Sequence, residues 1–270
     1  MAQVQEIKGS TTRKTLSVRP RFPAYLWEKR TKVWNLPKPE LLKKADIFLV
    51  SKSDVWYSEF LSYMVCTVTR SQFSHSAIYI GDTKNDGHII TERIIAKIKE
   101  TENEKKFILD GELKISRLKR LKRLASNMEI WMKTGENIPI LEESNTNGVE
   151  LVNAGMYYDN KKYGGIVKRI KNMSQIDAEE IVDNAMDDLG NGYDYAQFAS
   201  LGYLFLAGKG KTEEALDLKG LRVCTEVIVR AVEKKGIYFN KQIPSANITP
   251  GDIDMSEIVE TVPGMKKGQA

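Results

Sequence analysis

Apolar and polar positions follow two different periods along this chain, and the switches between them mark out its elements. Ile47-Phe48-Leu49-Val50 is a continuous apolar run behind Asp46, the pattern of a strand buried on both faces. Between residues 54 and 69, Phe60, Leu61, Met64, Val65 and Val68 fall at helical spacing, with Cys66 among them. From His75 the period becomes two: His75, Ala77 and Tyr79 share one face, Ser76, Ile78 and Ile80 the other. A polar loop over residues 81–87 follows, and residues 88–95 are predicted as the return strand of a hairpin. On that strand His88, Ile90 and Glu92 would share a face, with Ile89, Thr91 and Arg93 opposite.

The second half is more helical. Residues 97–106 read as a charged loop, and 113–118 and 128–132 as further strands joined by 119–125. The stretch 134–173, punctuated by Gly135, Asn147-Gly148, Gly155 and Gly164-Gly165, reads as an insertion with some strand at 149–152 and 156–158. Ser174 then opens a helix with a capping-box-like start, and Ala178, Ile181, Val182, Ala185, Met186 and Leu189 form its apolar stripe. Gly190 and Gly192 end it, and Tyr193-Asp194-Tyr195 leads into an apolar helix over 196–206. The last clear helix begins at Cys224, whose stripe continues through Val227, Ile228, Ala231 and Val232, with Lys234, Lys235 and Gly236 as the exit. Residues 248–252 are predicted as a turn.

Charge changes this picture at the N-terminus. Residues 1–44 hold 11 Lys/Arg against 3 Asp/Glu, whereas the remaining chain holds 30 against 33. Four of the eight prolines lie in the same segment. The expected organisation is therefore a basic arm over 1–44, one domain over 45–262, and a short tail over 263–270. Such an arm suits an acidic partner or surface. The second basic run, Arg117 to Arg123, lacks the interleaved aromatics of a single-strand binder, so no nucleic-acid partner is expected. The longest apolar stretch, 196–207, falls short of the roughly 20 residues of a membrane span. No secretory apolar region follows the first charges, and a cytoplasmic location is expected, with a membrane surface or larger assembly left open.

The chain has only 2 cysteines and 2 histidines, without the close ligand pairs of a zinc site, so neither metal nor cofactor is expected. On spacing alone Cys224 is a core thiol. Its place in the first turn of a helix argues otherwise, because the positive end of the macrodipole stabilises a thiolate. With His75 at a strand edge, the two supply what a cysteine nucleophile needs: a thiol and a base to take its proton. A carboxylate on the strand pairing with His75 would orient the ring.

The order of these pieces resembles a known family. Ala45-Asp46-Ile47-Phe48-Leu49-Val50, Phe73-Ser74-His75-Ser76-Ala77-Ile78-Tyr79-Ile80-Gly81-Asp82, Leu189-Gly190-Asn191-Gly192-Tyr193-Asp194-Tyr195, Val223-Cys224-Thr225-Glu226-Val227 and Ile248-Thr249-Pro250-Gly251-Asp252 follow the order seen in circularly permuted papain-like, NlpC-type cysteine hydrolases of the YiiX-like branch. The chain departs from the pattern at Ala45, where Gly is usual, and at Thr225, where Ser is frequent. The resemblance implies a permuted papain-like α+β fold, an antiparallel sheet packed against helices, with Cys224 as nucleophile and His75 as base. It places the third polar residue on the strand after the histidine, which maps to Glu92, with Thr91 and His88 as alternatives. The implied activity is hydrolysis of an amide in a peptide, a cell-wall peptide or a lipid-linked amide or ester. Two rival readings are an acyltransferase of the lecithin:retinol acyltransferase type and a non-catalytic binding or assembly module.

Overall fold

The computed structural model describes residues 34–51, 71–103, 110–145, 147–159, 164–193, 221–222 and 224–264. Its strands are β1 (Trp34–Asn35), β2 (Ile47–Ser51), β3 (His75–Asp82), β4 (Pro139–Asn145), β5 (Gly148–Asn153), β6 (Gly164–Ile170), β7 (Gly192–Tyr193), β8 (Leu221–Arg222) and β9 (Val259–Thr261). Its helices are α1 (Gly87–Asn103), α2 (Asp110–Lys133), α3 (Gly155–Asp159), α4 (Gln175–Met186), α5 (Cys224–Glu233) and α6 (Pro250–Met255). Seven strands form one sheet in the order β1-β6-β2-β3-β4-β5, with β9 also paired to β6. Every pairing in it is antiparallel except that of β1 with β6, and β7 and β8 make a separate parallel pair.

Alternation along β2 and β3 gives the sheet two apolar faces. Ile47, Leu49, Ile78 and Ile80 join the larger core, completed by residues of α1, α2, α4 and α5. Phe48, Val50, Ala77 and Tyr79 join a smaller core with Leu36, Tyr157, Val167 and Val262. The molecule is thus a mixed α+β protein whose central strands are buried on both sides, as the apolar run at 47–50 predicts.

Several expectations hold in detail. Strands run over 47–51 and from His75, and Ser174 caps α4 by accepting from the Asp177 N–H at 3.1 Å. Cys224 is the first residue of α5.

Others are corrected. The expected return strand at 88–95 is instead part of α1, because Gly87, Ile90 and Ile94 are buried at three- and four-residue spacing. The abundance of β-branched Ile and Thr there imitates a strand, but tertiary burial selects the helix. The expected charged loop at 97–106 begins as the last turns of the same helix. The two strands expected at 113–118 and 128–132 are one 24-residue helix, α2, which buries Leu121, Leu124 and Met128. The stretch 134–173, expected as an insertion, supplies β4, β5 and β6 to the main sheet. Met156 and Tyr157, expected in a strand, lie in α3. The expected turn at 248–252 is the capping box of α6, in which Thr249 and Asp252 exchange bonds.

The predicted helices at 54–69, with Cys66, and at 196–206 lie outside the described residues, as does the arm up to residue 33. The end of the expected arm is part of the fold: Trp34–Asn35 pairs with Gly165–Ile166, and Leu36 is buried in the smaller core.

Candidate active site

The first residue of β3, His75, and the first residue of α5, Cys224, meet. Helix α5 lies against β3, with Ser76 Oγ hydrogen-bonded to Thr225 Oγ1 at 3.3 Å. That contact sets the first turn of the helix over the start of the strand. The Cys224 thiol lies beside the His75 ring and the Ser76 backbone N–H, close enough for both to pull its pKa down. In the same first turn Glu226 is buried and ion-paired with Arg230, one turn further on, so its charge has its own partner.

The ring's other partner comes from β4. Ala77 is in register with Glu143, so Glu143 stands diagonally across from His75 on the same face of the sheet. His75 Nε2 lies 3.2 Å from Glu143 Oε2, with 13% of the His75 side chain exposed and 2% of Glu143. With Nε2 turned to the carboxylate, Nδ1 is the nitrogen left for the thiol. The same carboxylate oxygen accepts a hydrogen bond from the Tyr157 hydroxyl of α3.

Electrostatics follow from this chain of contacts. Burial pushes the Cys224 thiol up, but the His75 charge and hydrogen bond, the Ser76 N–H and the Thr225 hydroxyl bring it down from 9.0 to about 7. Burial pushes the His75 imidazole down, but the Cys224 and Glu143 charges and hydrogen bonds raise it from 6.5 to about 10. Both shifts favour a thiolate–imidazolium pair near neutral pH. The arrangement can deliver a nucleophilic sulfur and a proton to atoms held beside it.

Of the residues singled out from the sequence, the structure brings Cys224 and His75 together. Glu92 is not with them: it lies on the exposed side of α1. His88 is exposed on the same helix, and Thr91 bonds the Gly87 carbonyl within it at 2.7 Å. The carboxylate beside the ring is Glu143, which sequence reasoning missed by reading 134–173 as an insertion. A signal was present: Asn147-Gly148 is a strong hairpin turn, and the apolar Ile138 to Leu141 and Val149 to Val152 flank it. Taking that hairpin as the partner of β3 would have put Glu142 and Glu143 beside His75.

Among the described residues, no group of three or more His, Cys, Asp or Glu is placed to hold a metal ion, and no helix is long and apolar enough to cross a membrane. No protein-family model and no curated protein matches the chain. Among solved structures, the chain is similar to the crystal structure of metalloprotein yiiX from Escherichia coli O157:H7, at a TM-score of 0.38 and 13% identity, over 83% of this chain and 97% of that one.

Proposed function

We propose that this protein is a cysteine hydrolase on a permuted papain-like, NlpC-type fold, cleaving an amide bond through a thioester on Cys224. The supporting observation is the contact chain Cys224–His75–Glu143, which holds a thiol of lowered pKa against an imidazole whose other nitrogen faces a buried carboxylate. The thiolate attacks the carbonyl carbon and forms the C–S bond. The backbone N–H of Cys224 is the proposed donor to the oxyanion, since N–H groups in the first turn of a helix lack an intrahelical acceptor. His75 then gives its proton to the leaving nitrogen as the C–N bond breaks. In the second half the neutral ring takes a proton from water, the new C–O bond forms, and the C–S bond breaks to regenerate the thiolate. Glu143 keeps the ring oriented and stabilises its charged form.

The test is the pH dependence of Cys224 alkylation by iodoacetamide, read by mass mapping of the Cys224 peptide. The expected midpoint lies near pH 7 in the wild type. In His75→Ala the midpoint moves above 9, since burial remains while the cation is lost, and the rate at pH 7 falls by about 30- to 100-fold. Slow alkylation of equal rate in both proteins refutes the activated thiol. With amide substrates, an acyl adduct on Cys224 in intact-mass spectra and a free carboxylic acid as product are expected, both absent in Cys224→Ser.

A further inference from the structure

Glu143 raises a difficulty that its neighbour resolves. A carboxylate with 2% exposure tends to take up a proton and so lose the charge that an imidazolium needs. A neutral hydroxyl donor offsets this without cancelling the carboxylate's field at His75, and Tyr157 supplies one. Its ring is buried in the smaller core, with 1% exposure, against Phe48 at a centroid distance of 6.2 Å. Its hydroxyl donates to Glu143 Oε2, the oxygen that also faces His75 Nε2.

We propose that Tyr157 is a positioning residue of the active site, the fourth member of a chain Tyr157–Glu143–His75–Cys224, whose neutral hydroxyl keeps Glu143 ionised and turned toward the ring. The inference rests on the cysteine-hydrolase reading and deepens it. A hydroxyl solvates the carboxylate without a net charge, so Glu143 keeps its attraction for the imidazolium. The donor bond also selects one rotamer of a side chain that reaches His75 only diagonally across the strands. The ring comes from α3, directly after the β4–β5 hairpin, so the stretch 134–173 supplies both the carboxylate and the group that holds it.

The experiment is the alkylation profile of Cys224 in Tyr157→Phe, Glu143→Gln and the double variant, with Tm recorded for each. Tyr157→Phe keeps the ring and its packing and removes only the oxygen. Without its donor Glu143 takes up a proton at higher pH, and the acid limb of the profile moves up by about half to one pH unit. That is a roughly three- to tenfold slower reaction near pH 6, converging with wild type above pH 9. In the Glu143→Gln background, removal of the hydroxyl produces no further shift. An unchanged profile in Tyr157→Phe, or an equal shift with and without Glu143, overturns the proposal. A fall in Tm with no movement of the acid limb also overturns it, since that is what packing alone would give. Failure of His75→Ala to move the midpoint would instead refute the underlying dyad, so the two ideas fail separately.

Discussion

Two adjacent glutamates on β4 show how far a single position in a strand changes the chemistry of a side chain. Glu143 faces the smaller core and is bonded to His75 and Tyr157. Glu142, in register with Ile78 and Leu151, faces the larger core, is fully buried and, among the described residues, has no hydrogen-bond partner for either oxygen. Burial first, and the nearby Asp188 charge second, hold its carboxyl well above the ordinary range. A carboxyl whose folded pKa is raised contributes its full stability below its unfolded value near 4.5, and that contribution is lost as the pH rises toward the folded value. At neutral pH Glu142 is therefore a burden on the fold. Replacing it with leucine, of similar volume, should raise unfolding free energy at pH 7–8 by about 1–3 kcal/mol and flatten its dependence on pH. Urea titrations of both proteins at pH 5 and pH 8 measure this, and a variant that is less stable at pH 8 would contradict it.

At the scale of elements, the basic run on α2 is not simply a solvated face. Arg120 Nε donates to the Gly190 carbonyl at 2.7 Å, and Arg117 donates to the carbonyls of Leu189 and Asp187, both at 3.3 Å. These backbone oxygens lie just beyond the end of α4 and, among the described residues, accept no backbone N–H. The clamp holds the turn that leads into β7, which pairs with β8 just before Cys224. The β4–β5 hairpin closes onto the same turn: the Val149 N–H donates to the Asn191 carbonyl at 2.9 Å, and Gly190 N–H to the Val149 carbonyl at 2.9 Å. Gly148 has φ +103°, and a Cβ there would overlap the Asn191 carbonyl oxygen. Gly148→Ala should therefore lower stability by about 1–3 kcal/mol and speed amide exchange at Val149 and Gly190. Exchange as slow as in wild type would show that the hairpin tip does not govern this turn.

At the scale of the whole molecule, the neighbouring strands β2 and β6 are tied by an ion pair between a buried carboxylate and a partly exposed guanidinium. Asp46, at the entry to β2, accepts from Arg169 of β6 with both oxygens, at 2.7 and 2.6 Å, and from the Lys43 N–H at 2.8 Å. Arg169 also reaches the Leu41 carbonyl at 2.9 Å, which fastens the segment before β2 to the sheet. Burial pushes the Asp46 carboxyl up against the pull of Arg169, so the pair exists at the expense of desolvation. Asp46→Asn leaves the guanidinium without its counter-charge and should destabilise the protein by about 3–5 kcal/mol, read in denaturant unfolding. A loss below about 1 kcal/mol would mean that water replaces the carboxylate there.

Local periodicity was sufficient for the strands at 47–51 and from His75, for α4, and for the start of α5 at Cys224, because in each the buried set shows its period within one element. It failed over 88–95, where an Ile- and Thr-rich stretch suits either state and only packing against a neighbour decides, and over 113–132, where Leu118, Leu121, Leu124 and Met128 recur at a helical period among Lys and Arg. The thiol and the imidazole were legible as residue types in suitable local settings, one at a helix start and one at a strand edge. Their partner was not. Which carboxylate stands beside His75 depends on which strand pairs with β3, a long-range choice made by sheet register and not by spacing along the chain. Tertiary structure thus moved the third position from Glu92 to Glu143 and set Tyr157 behind it, where burial gives a hydroxyl and a carboxylate an influence on each other that they would lack in water.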